Sequence, residues 1–256
     1  MLNIVKIGGN IIEDPDALHR FLTLFSKIKG PKILVHGGGK KASEVLSKLG
    51  IAPKMANGRR ITDAASLEVV TMVYAGLVNK TIVAKLQAAH CNAIGMSGAD
   101  ANSIQAHKRS VVDIDYGFAG DIDGINAKQL VKMLQMDLTP VFCALTHDTH
   151  GQLLNTNADT IASALAIGLS STFKVVLNYC FELDGVLSNF ADKTSVIPKI
   201  NCQLYATLVQ DGTISAGMLP KLHNCFEALK AGVQEVRIGN MGLFEKENNN
   251  FTRLTL

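Results

Sequence analysis

The chain has 256 residues, of which 47% are hydrophobic and 18% are charged, with 22 glycines and 6 prolines. This composition excludes a disordered or fibrous protein, and the length suits one large α/β domain or two lobes. The formal charge of +3 is spread along the chain without a basic stripe or interleaved aromatic residues, which argues against nucleic-acid binding.

The cysteines and the N-terminus indicate the cellular compartment. The five cysteines are far apart and form no CxxC pair, so the sequence predicts neither a zinc site nor a disulfide framework. Lys6 interrupts the first apolar stretch, which is too short for a signal peptide. No stretch approaches the ~18 apolar residues of a membrane span. We therefore expect a cytoplasmic protein with reduced thiols and no membrane association.

Short β-branched runs alternate with longer helical patterns from the start of the chain. The strand pattern LNIVKIGG ends in Gly8 and Gly9, and Asp14 and Pro15 are expected to start the helix that follows. A second strand pattern, KILVHGGG, ends in the glycines at 37–39 and leads into a second helix, KKASEVLSKLG. Helical spacing of apolar residues then runs over residues 64–89.

The same alternation continues to the C-terminus. NAIGMSG predicts a buried strand, and residues 104–126 combine alternation with glycines and acidic turns, which predicts a β-hairpin at an edge or in a lid. The remaining patterns are a strand in TPVFCALTHD, a helix in ADTIASALAIGLS, a strand in FKVVLNYC, a helix in TISAGMLPKLHNCFEALKAG and a final strand in VQEVRIG. The alternation predicts an α/β fold, a three-layer αβα sandwich around a central, mainly parallel open sheet.

The glycine-rich strand ends are the strongest functional signal. In an open α/β sheet, ligands collect beyond the carboxyl ends of the strands, where bare backbone amides before a helix favour phosphate. Lys6 lies within an apolar strand just before Gly8 and Gly9. It either snorkels to solvent from an edge strand or faces the same anion as the glycine turns. Two glycine turns and a lysine at neighbouring strand ends predict a phosphate cradle.

Other glycine-loop chemistries fit less well. No stretch supplies the GxxxxGK[ST] pattern of a P-loop. GGGKKA matches the GxGxxA pattern of dinucleotide-binding folds, but the acidic residue expected about 20 residues on is missing from IAPKMANGRR. A nicotinamide-dependent oxidoreductase therefore stays as an alternative from a different class. We interpret Lys40 and Lys41 as a solvated helix start.

Five segments in order resemble the signature elements of the N-acetylglutamate kinases, in the amino-acid kinase superfamily. They are KIGG at 6–9, HGGG at 36–39, NGRRIT at 57–62, LNTNADTIA at 154–162 and ISAGMLPKL at 214–222. The resemblance implies the amino-acid kinase fold and MgATP-dependent phosphorylation of the γ-carboxylate of N-acetyl-L-glutamate. The product would be N-acetylglutamyl 5-phosphate, in arginine biosynthesis. N-succinylglutamate as the substrate and a non-catalytic ligand-binding relative are the alternatives.

The resemblance also implies roles for individual residues. Lys6 would contact the transferring phosphoryl oxygens, Lys221 would contact the nucleotide phosphates, and Asp159 would hold both lysines in place. The expected binding residues are Gly8 and Gly9 for the phosphoryl group, Gly38, Gly39, Arg60 and Asn155 for the acylglutamate, and Glu182, Leu183, Asp184, Gly185 and Ser215 for the nucleotide.

The resemblance sets expectations for the rest of the assembly as well. YCFELDGVL at 179–187 stands where many family members have Thr-Asp-Val-x-Gly-Val, so the adenine and ribose contacts depart from that pattern. No carboxylate cluster has metal-ligand spacing, so Mg²⁺ is expected on ATP phosphates and water, without a protein metal site.

Residues 1–170 would form an acylglutamate-binding and dimerising lobe, and residues 171–256 an ATP-binding lobe on one continuous sheet. A homodimer is the expected state. Arginine-inhibited relatives carry an extra N-terminal helix, so we expect no arginine feedback.

Overall fold

The structure is a computed structural model that describes residues 1–214, 218–245 and 250–256. The described strands are β1 (Leu2–Ile7), β2 (Lys32–His36), β3 (Lys54–Ala56), β4 (Arg59–Ile61), β5 (Ala93–Met96), β6 (Ile104–Lys108), β7 (Gly120–Ile125), β8 (Thr139–Phe142), β9 (Leu145–His147), β10 (Leu153–Asn155), β11 (Val175–Cys180), β12 (Lys199–Ile200), β13 (Glu235–Gly239) and β14 (Thr252–Leu254). The described helices are α1 (Gly9–Glu13), α2 (Pro15–Ser26), α3 (Gly39–Lys48), α4 (Ala64–Thr71), α5 (Asn79–Ala88), α6 (Ala127–Gln135), α7 (Ala158–Ser170), α8 (Cys202–Gln210) and α9 (Leu219–Lys230).

The described residues form one large sheet and two smaller ones. The large sheet has eight strands in the order β12-β14-β13-β11-β1-β2-β8-β5, and a four-stranded sheet has the order β10-β9-β6-β7. The pairs of the large sheet are parallel except for β13 and β14, which run antiparallel. Helices cover both faces, so the prediction of a three-layer α/β sandwich with a mainly parallel sheet is confirmed.

The central strands are buried on both faces because helices cover them. All five residues of β2 are buried, as are all six of β11, which is the near-continuous apolar pattern of a covered parallel sheet. The β11-β1-β2-β8 order brings the carboxyl ends of β1 and β2 side by side. The two glycine turns predicted from the sequence therefore lie at the same edge of the sheet.

Local sequence signals account for several helix starts. The side chain of Asp14 accepts hydrogen bonds from the N–H groups of Asp16 and Ala17, and Pro15 is the first residue of α2. Asp63 caps α4 by accepting from the Ser66 N–H. Both residues satisfy amides that have no acceptor within the helix, and the start of α2 at Asp14 and Pro15 was predicted.

Several elements of the structure differ from the sequence predictions or were not predicted. The glycine turn after β1 leads directly into the short helix α1, which starts at Gly9. The pattern TPVFCALTHD forms two strands, β8 and β9, in different sheets. VQEVRIG is not the last strand, because β14 follows it, and the helix α8 had no predicted counterpart. The hairpin predicted at 104–126 is confirmed as β6 and β7, at one edge of the four-stranded sheet.

A π-helical turn, Met72–Val78, joins α4 and α5 into one helix from Ala64 to Ala88. By length and composition this helix could cross a membrane, so the expectation that no segment qualifies is wrong on that criterion. Val70, Ile82 and Leu86 are fully buried in the core of the protein, as expected for a core helix of a globular protein.

Candidate active site

The glycine turns after β1 and β2 bring backbone very close to the sheet edge. Gly8 is the N-cap of α1, and its N–H donates to the Cys180 carbonyl at 3.2 Å. Gly38 is the N-cap of α3, and a Cβ at this position would lie 2.8 Å from Cδ1 of Tyr74. A residue with a side chain cannot take this place without moving the tyrosine ring. The first N–H groups of α3 have no helical acceptor and remain available to an anion.

A lysine pair and one carboxylate lie beside the first turn. Lys6 on β1 is 8% exposed, and its Nζ lies 2.7 Å from Oδ1 of Asp159 in the first turn of α7. The Asn157 side chain caps α7 and so fixes this turn. Burial lowers the pKa of Lys221 on α9; the Asp159 charge raises it and the Lys6 charge lowers it further. The structure therefore brings Lys6, Lys221 and Asp159, which are distant in sequence, into one electrostatic group.

A tight hairpin places Arg60 over the second glycine turn. Asn57 and Gly58 join β3 to β4 with φ angles of 49° and 73°, and Asn-Gly with two positive φ angles is typical of a two-residue hairpin turn. Arg60 is buried, and its Nη2 donates to the Gly39 carbonyl at 2.8 Å and to Oγ of Ser43 at 2.7 Å. Nε and Nη1 of Arg60 are buried without a hydrogen-bond partner. A buried guanidinium with two unused donors suits a carboxylate ligand.

Asn155 lines the same cavity as Arg60 and the glycines. This cavity has a volume of about 220 Å³. Asn155 ends β10, and its Nδ2 donates to Oγ1 of Thr62 at 2.9 Å. We call this cavity the acyl pocket; the residues that line it are Gly37, Gly38, Gly39, Met55, Gly58, Arg59, Arg60, Tyr74, Arg109, Ala119, Gly120, Ala144, Asn155, Thr156, Asn157 and Ala158. The structure thus gathers all four residues expected to bind the acylglutamate.

Arg109 and Tyr74 also line the acyl pocket, and neither was among the site residues predicted from the sequence. Arg109 lies on the β6–β7 hairpin, where its Nε donates to both carboxylate oxygens of Asp121 at 3.1 and 3.0 Å. Tyr74 reaches the pocket from the π-helical turn. No local pattern marks either residue, because each depends on long-range packing. The Asn-Gly turn before Arg60 is a local signal that could have predicted its hairpin.

His36, the last residue of β2, contacts the backbone of the second glycine turn. Its ring is fully buried, Nδ1 donates to the Gly37 carbonyl at 2.7 Å, and Nε2 accepts from Nδ2 of Asn79 at 3.0 Å. This network assigns the neutral Nδ1–H tautomer. Burial lowers the pKa of His36 to about 4, against a smaller opposing effect of the Gly37 carbonyl. His36 therefore stays neutral and fixes the backbone of this turn.

The residues expected at the nucleotide lie apart from the acyl pocket. Glu182 accepts a hydrogen bond from Asn10, and Asp184 accepts from Asn240 and, at 2.7 Å, from Nδ2 of Asn250. A Cβ on Gly185 would lie 2.5 Å from Oγ1 of Thr252 and 2.9 Å from its backbone nitrogen.

Asp184 and Gly185 thus tie the segment after β11 to neighbouring elements. Leu183 belongs to the same segment, and Ser215 lies outside the described residues. Among the described residues, no group of three or more His, Cys, Asp or Glu side chains is arranged to hold a metal ion.

Comparison with known proteins shows the family of this chain. Residues 1–240 match the amino acid kinase family, and the chain belongs to that family. Within this class the chain is similar to the acetylglutamate kinases of Cytophaga hutchinsonii and Phocaeicola vulgatus. It is 55% identical to the first over 93% of this chain and 90% of the relative, and 53% identical to the second over 93% and 92%. The acetylglutamate kinase of Methanopyrus kandleri is 35% identical over 95% and 97%.

Solved structures share the fold. A protein from Streptococcus mutans UA159 superposes with a TM-score of 0.77 at 25% identity, covering 99% of this chain and 98% of its own. N-acetylglutamate synthase from Neisseria gonorrhoeae, complexed with coenzyme A and N-acetyl-glutamate, gives 0.84 at 19% identity over 100% of this chain and 59% of its own. This second likeness concerns the fold alone. The family predicted from the five sequence segments is confirmed, and the oxidoreductase alternative finds no support.

Proposed function

We propose that this chain transfers the γ-phosphoryl group of ATP to the γ-carboxylate of N-acetyl-L-glutamate, giving N-acetylglutamyl 5-phosphate in arginine biosynthesis. The observation that carries the proposal is the acyl pocket, which holds a buried arginine with two unused donors beside a turn of bare backbone amides. The identity of 53–55% to acetylglutamate kinases along nearly the whole chain supports the same reaction.

Arg60 and Asn155 are the proposed acylglutamate-binding residues. The guanidinium of Arg60 suits the α-carboxylate, because it is positively charged and its Nε and Nη1 donors have no protein partner. The Asn155 side chain offers both a donor and an acceptor, which suits the N-acyl amide. Gly38 and Gly39 bring backbone N–H groups to the γ-carboxylate. This carboxylate is ionised near pH 7, so it needs no general base to become a nucleophile.

The lysine group is proposed to stabilise the transferring phosphoryl group. Phosphoryl transfer depends mainly on positioning and on neutralising the charge that spreads over the reacting oxygens. Lys6 would lie on the attacking side of the phosphoryl group and Lys221 on the nucleotide side. Asp159, 2.7 Å from Lys6, holds the cations in place. The turn at Gly8 and Gly9 would contribute through the Gly9 amide, since the Gly8 N–H already donates to Cys180.

The C-terminal part of the chain is proposed to bind ATP. We assign residues 1–170 to the acylglutamate lobe and residues 171–256 to the ATP lobe, joined by the eight-stranded sheet. Glu182, Leu183, Asp184, Gly185 and Ser215 are the proposed nucleotide residues. Mg²⁺ would neutralise the ATP phosphates, held chiefly by those phosphates and water, because the described residues offer no carboxylate cluster.

A cytoplasmic homodimer is the proposed state of the protein. Met72 is 57% exposed and Leu77 is 51% exposed, both on the π-helical turn between α4 and α5. Large apolar side chains exposed together favour contact with a second copy through this helix. Sedimentation velocity at several protein concentrations measures this state, and a monomer at every concentration would contradict it.

The proposed reaction is tested by trapping its product. The protein is incubated with ATP, Mg²⁺ and hydroxylamine, with glutamate, N-acetylglutamate or N-succinylglutamate as the acceptor in parallel reactions. We expect hydroxamate and ADP in equal amounts with N-acetylglutamate. Hydroxamate with none of the three acceptors overturns the proposed function, whereas a preference for N-succinylglutamate corrects only the acyl group.

A further inference from the structure

An aromatic ring contacts both lysines of the candidate site. Phe181 directly follows β11, and its ring centroid lies 4.2 Å from Nζ of Lys221 and 5.1 Å from Nζ of Lys6. The Phe181 N–H donates to the Gly239 carbonyl at 2.7 Å, which fixes the backbone at this position. The Tyr179 ring lies nearly parallel to the Phe181 ring, with centroids 6.1 Å apart. The position of the ring is therefore set by two neighbouring strands.

The two lysines beside this ring have only one carboxylate of a described residue between them. Lys6 has the Asp159 carboxylate at 2.7 Å, but no carboxylate of a described residue lies within ion-pair distance of Lys221. Two ammonium groups thus share one carboxylate in a partly buried place, where their mutual repulsion is weakly screened. The face of an aromatic ring carries partial negative charge and attracts a cation within about 6 Å of its centroid. The Phe181 ring offers that attraction to both lysines.

The ring also closes the site against the first glycine turn. A Cβ on Gly8 would lie 3.6 Å from Cδ1 of Phe181, so the ring packs directly on the backbone of that turn. An acidic residue in place of Phe181 would pair with Lys221 and would also repel the phosphates that Lys221 is proposed to meet. A neutral ring attracts the ammonium groups without adding negative charge that competes with the phosphates.

We infer that Phe181 is a positioning residue that holds the ammonium groups of Lys6 and Lys221 beside the Gly8–Gly9 turn before substrates bind. This inference rests on the proposed function, because it assigns the two lysines to the transferring phosphoryl group. Phe181 acts on the reaction through the lysines and does not itself contact the reacting atoms. A purely structural residue at this place would need only apolar volume, which leucine also provides.

The test compares Phe181→Leu with Phe181→Tyr, which keeps the ring face. Phe190→Leu is the matched control, since the Phe190 ring also contacts a lysine, Lys193, at 3.7 Å, but is 74% exposed. In the hydroxamate assay we expect Phe181→Leu to lower kcat about tenfold, the size of a partly desolvated cation–π contact. The KM for N-acetylglutamate should change less than about twofold, because the acyl pocket is untouched. Phe181→Tyr and Phe190→Leu should keep the wild-type kcat.

A second readout needs no substrate. Ring currents shift nuclei over an aromatic face upfield, so lysine side chains labelled with ¹³C at Cε report the contact directly by NMR. Lys221→Arg and Lys6→Arg variants assign the two signals. We expect an upfield-shifted Lys221 signal in the wild-type protein and in Phe181→Tyr, and its return to the ordinary lysine position in Phe181→Leu.

Three results overturn the inference: a wild-type Lys221 signal without the upfield shift, a Phe181→Leu enzyme with kcat within twofold of wild type, or a Phe181→Tyr enzyme as slow as Phe181→Leu. Failure of the proposed function is distinct from these, because the wild-type protein would then form no hydroxamate while the NMR shifts still report the lysine positions.

Discussion

The acyl pocket and the segment after β11 use their polar groups in opposite ways. In the acyl pocket, Arg60 is anchored by one nitrogen and keeps two buried donors without a protein partner. In the segment after β11, the carboxylate of Asp184 is already bonded to Asn240 and Asn250. The first region is built around unused donors, whereas the second is built around satisfied internal contacts.

This difference teaches where substitutions should act. Unused buried donors are costly unless a ligand satisfies them, so substitutions in the acyl pocket should change ligand affinity. The phosphoryl side depends on charge in the lysine group, so substitutions there should change kcat. If substitutions in the acyl pocket change kcat, or substitutions in the lysine group change only ligand affinity, the comparison fails.

The largest effect is expected at Lys221. Lys221→Ala removes the cation on the nucleotide side of the transfer, and we expect kcat to fall about 10²–10³-fold, as for the loss of one preorganised stabilising group. The hydroxamate assay measures this with saturating substrates. Lys230→Ala is the matched control on the same helix, since Lys230 is exposed and pairs with Glu227. A Lys221→Ala enzyme with the wild-type kcat would remove this lysine from the mechanism.

The second-largest effect is a loss of stability at low pH, caused by protonation of His36 next to the acyl pocket. The pKa of His36 is about 4 in the folded protein, below its ordinary value of 6.5, because the ring is buried. Between pH 4 and 6.5 the unfolded chain binds more protons at His36 than the folded protein does. The contribution of His36 to the free energy of unfolding is therefore fully present above pH 6.5. The free energy of unfolding decreases by about 3 kcal/mol as the pH is lowered from 6.5 towards 4.

Urea unfolding at a series of pH values measures this loss of stability. Protonation of Nε2 would also set an N–H against the donating Nδ2 of Asn79, which agrees with the direction of the effect. His36→Gln has no titratable ring, and its unfolding free energy should lose this contribution to the pH dependence. Parallel curves for the two proteins would refute the assignment.

The third effect tests the acyl pocket itself. Arg60→Lys keeps the positive charge but loses the fixed guanidinium donors, so we expect the KM for N-acetylglutamate to rise about 10- to 100-fold. The KM for ATP should change less than about twofold, because Arg60 is proposed to bind the acylglutamate and not the nucleotide. Initial rates with each substrate varied in turn measure the split. A rise of both KM values together would show that the two regions are not separate.

Much of this fold follows from short-range signals in the sequence. Asp14 can be predicted as a helix cap because its side chain accepts from amides two and three residues away. The glycine turns are visible because they follow buried strands. The strand β14 was missed because only three residues pair with β13, after a polar segment that gives no strand pattern.

The candidate site was predicted unevenly for the same reason. Lys6 stands out because a lysine interrupts an apolar strand, and Arg60 and Asn155 were found through family resemblance. Phe181 and Arg109 carry no local signal. The closeness of Phe181 to two lysines, 175 and 40 residues away in sequence, arises only when β1, β11 and α9 pack together. Long-range contacts of this kind cannot be inferred from spacing along the chain.

The smallest effect is expected at the most conspicuous cations in the sequence. Lys41 pairs with Glu44 at 2.8 Å, and the Lys40 side chain is 63% exposed beside Glu13. Exposed ion pairs contribute little because water screens them, so replacing Lys40 and Lys41 together by glutamine should change kcat/KM less than about twofold. The hydroxamate assay on this double variant, beside Lys221→Ala, makes the contrast direct. A loss of kcat/KM above about tenfold would show that Lys40 and Lys41 face the phosphates. The anion site would then have to be assigned to the first turn of α3 and not to the lysine group at Asp159.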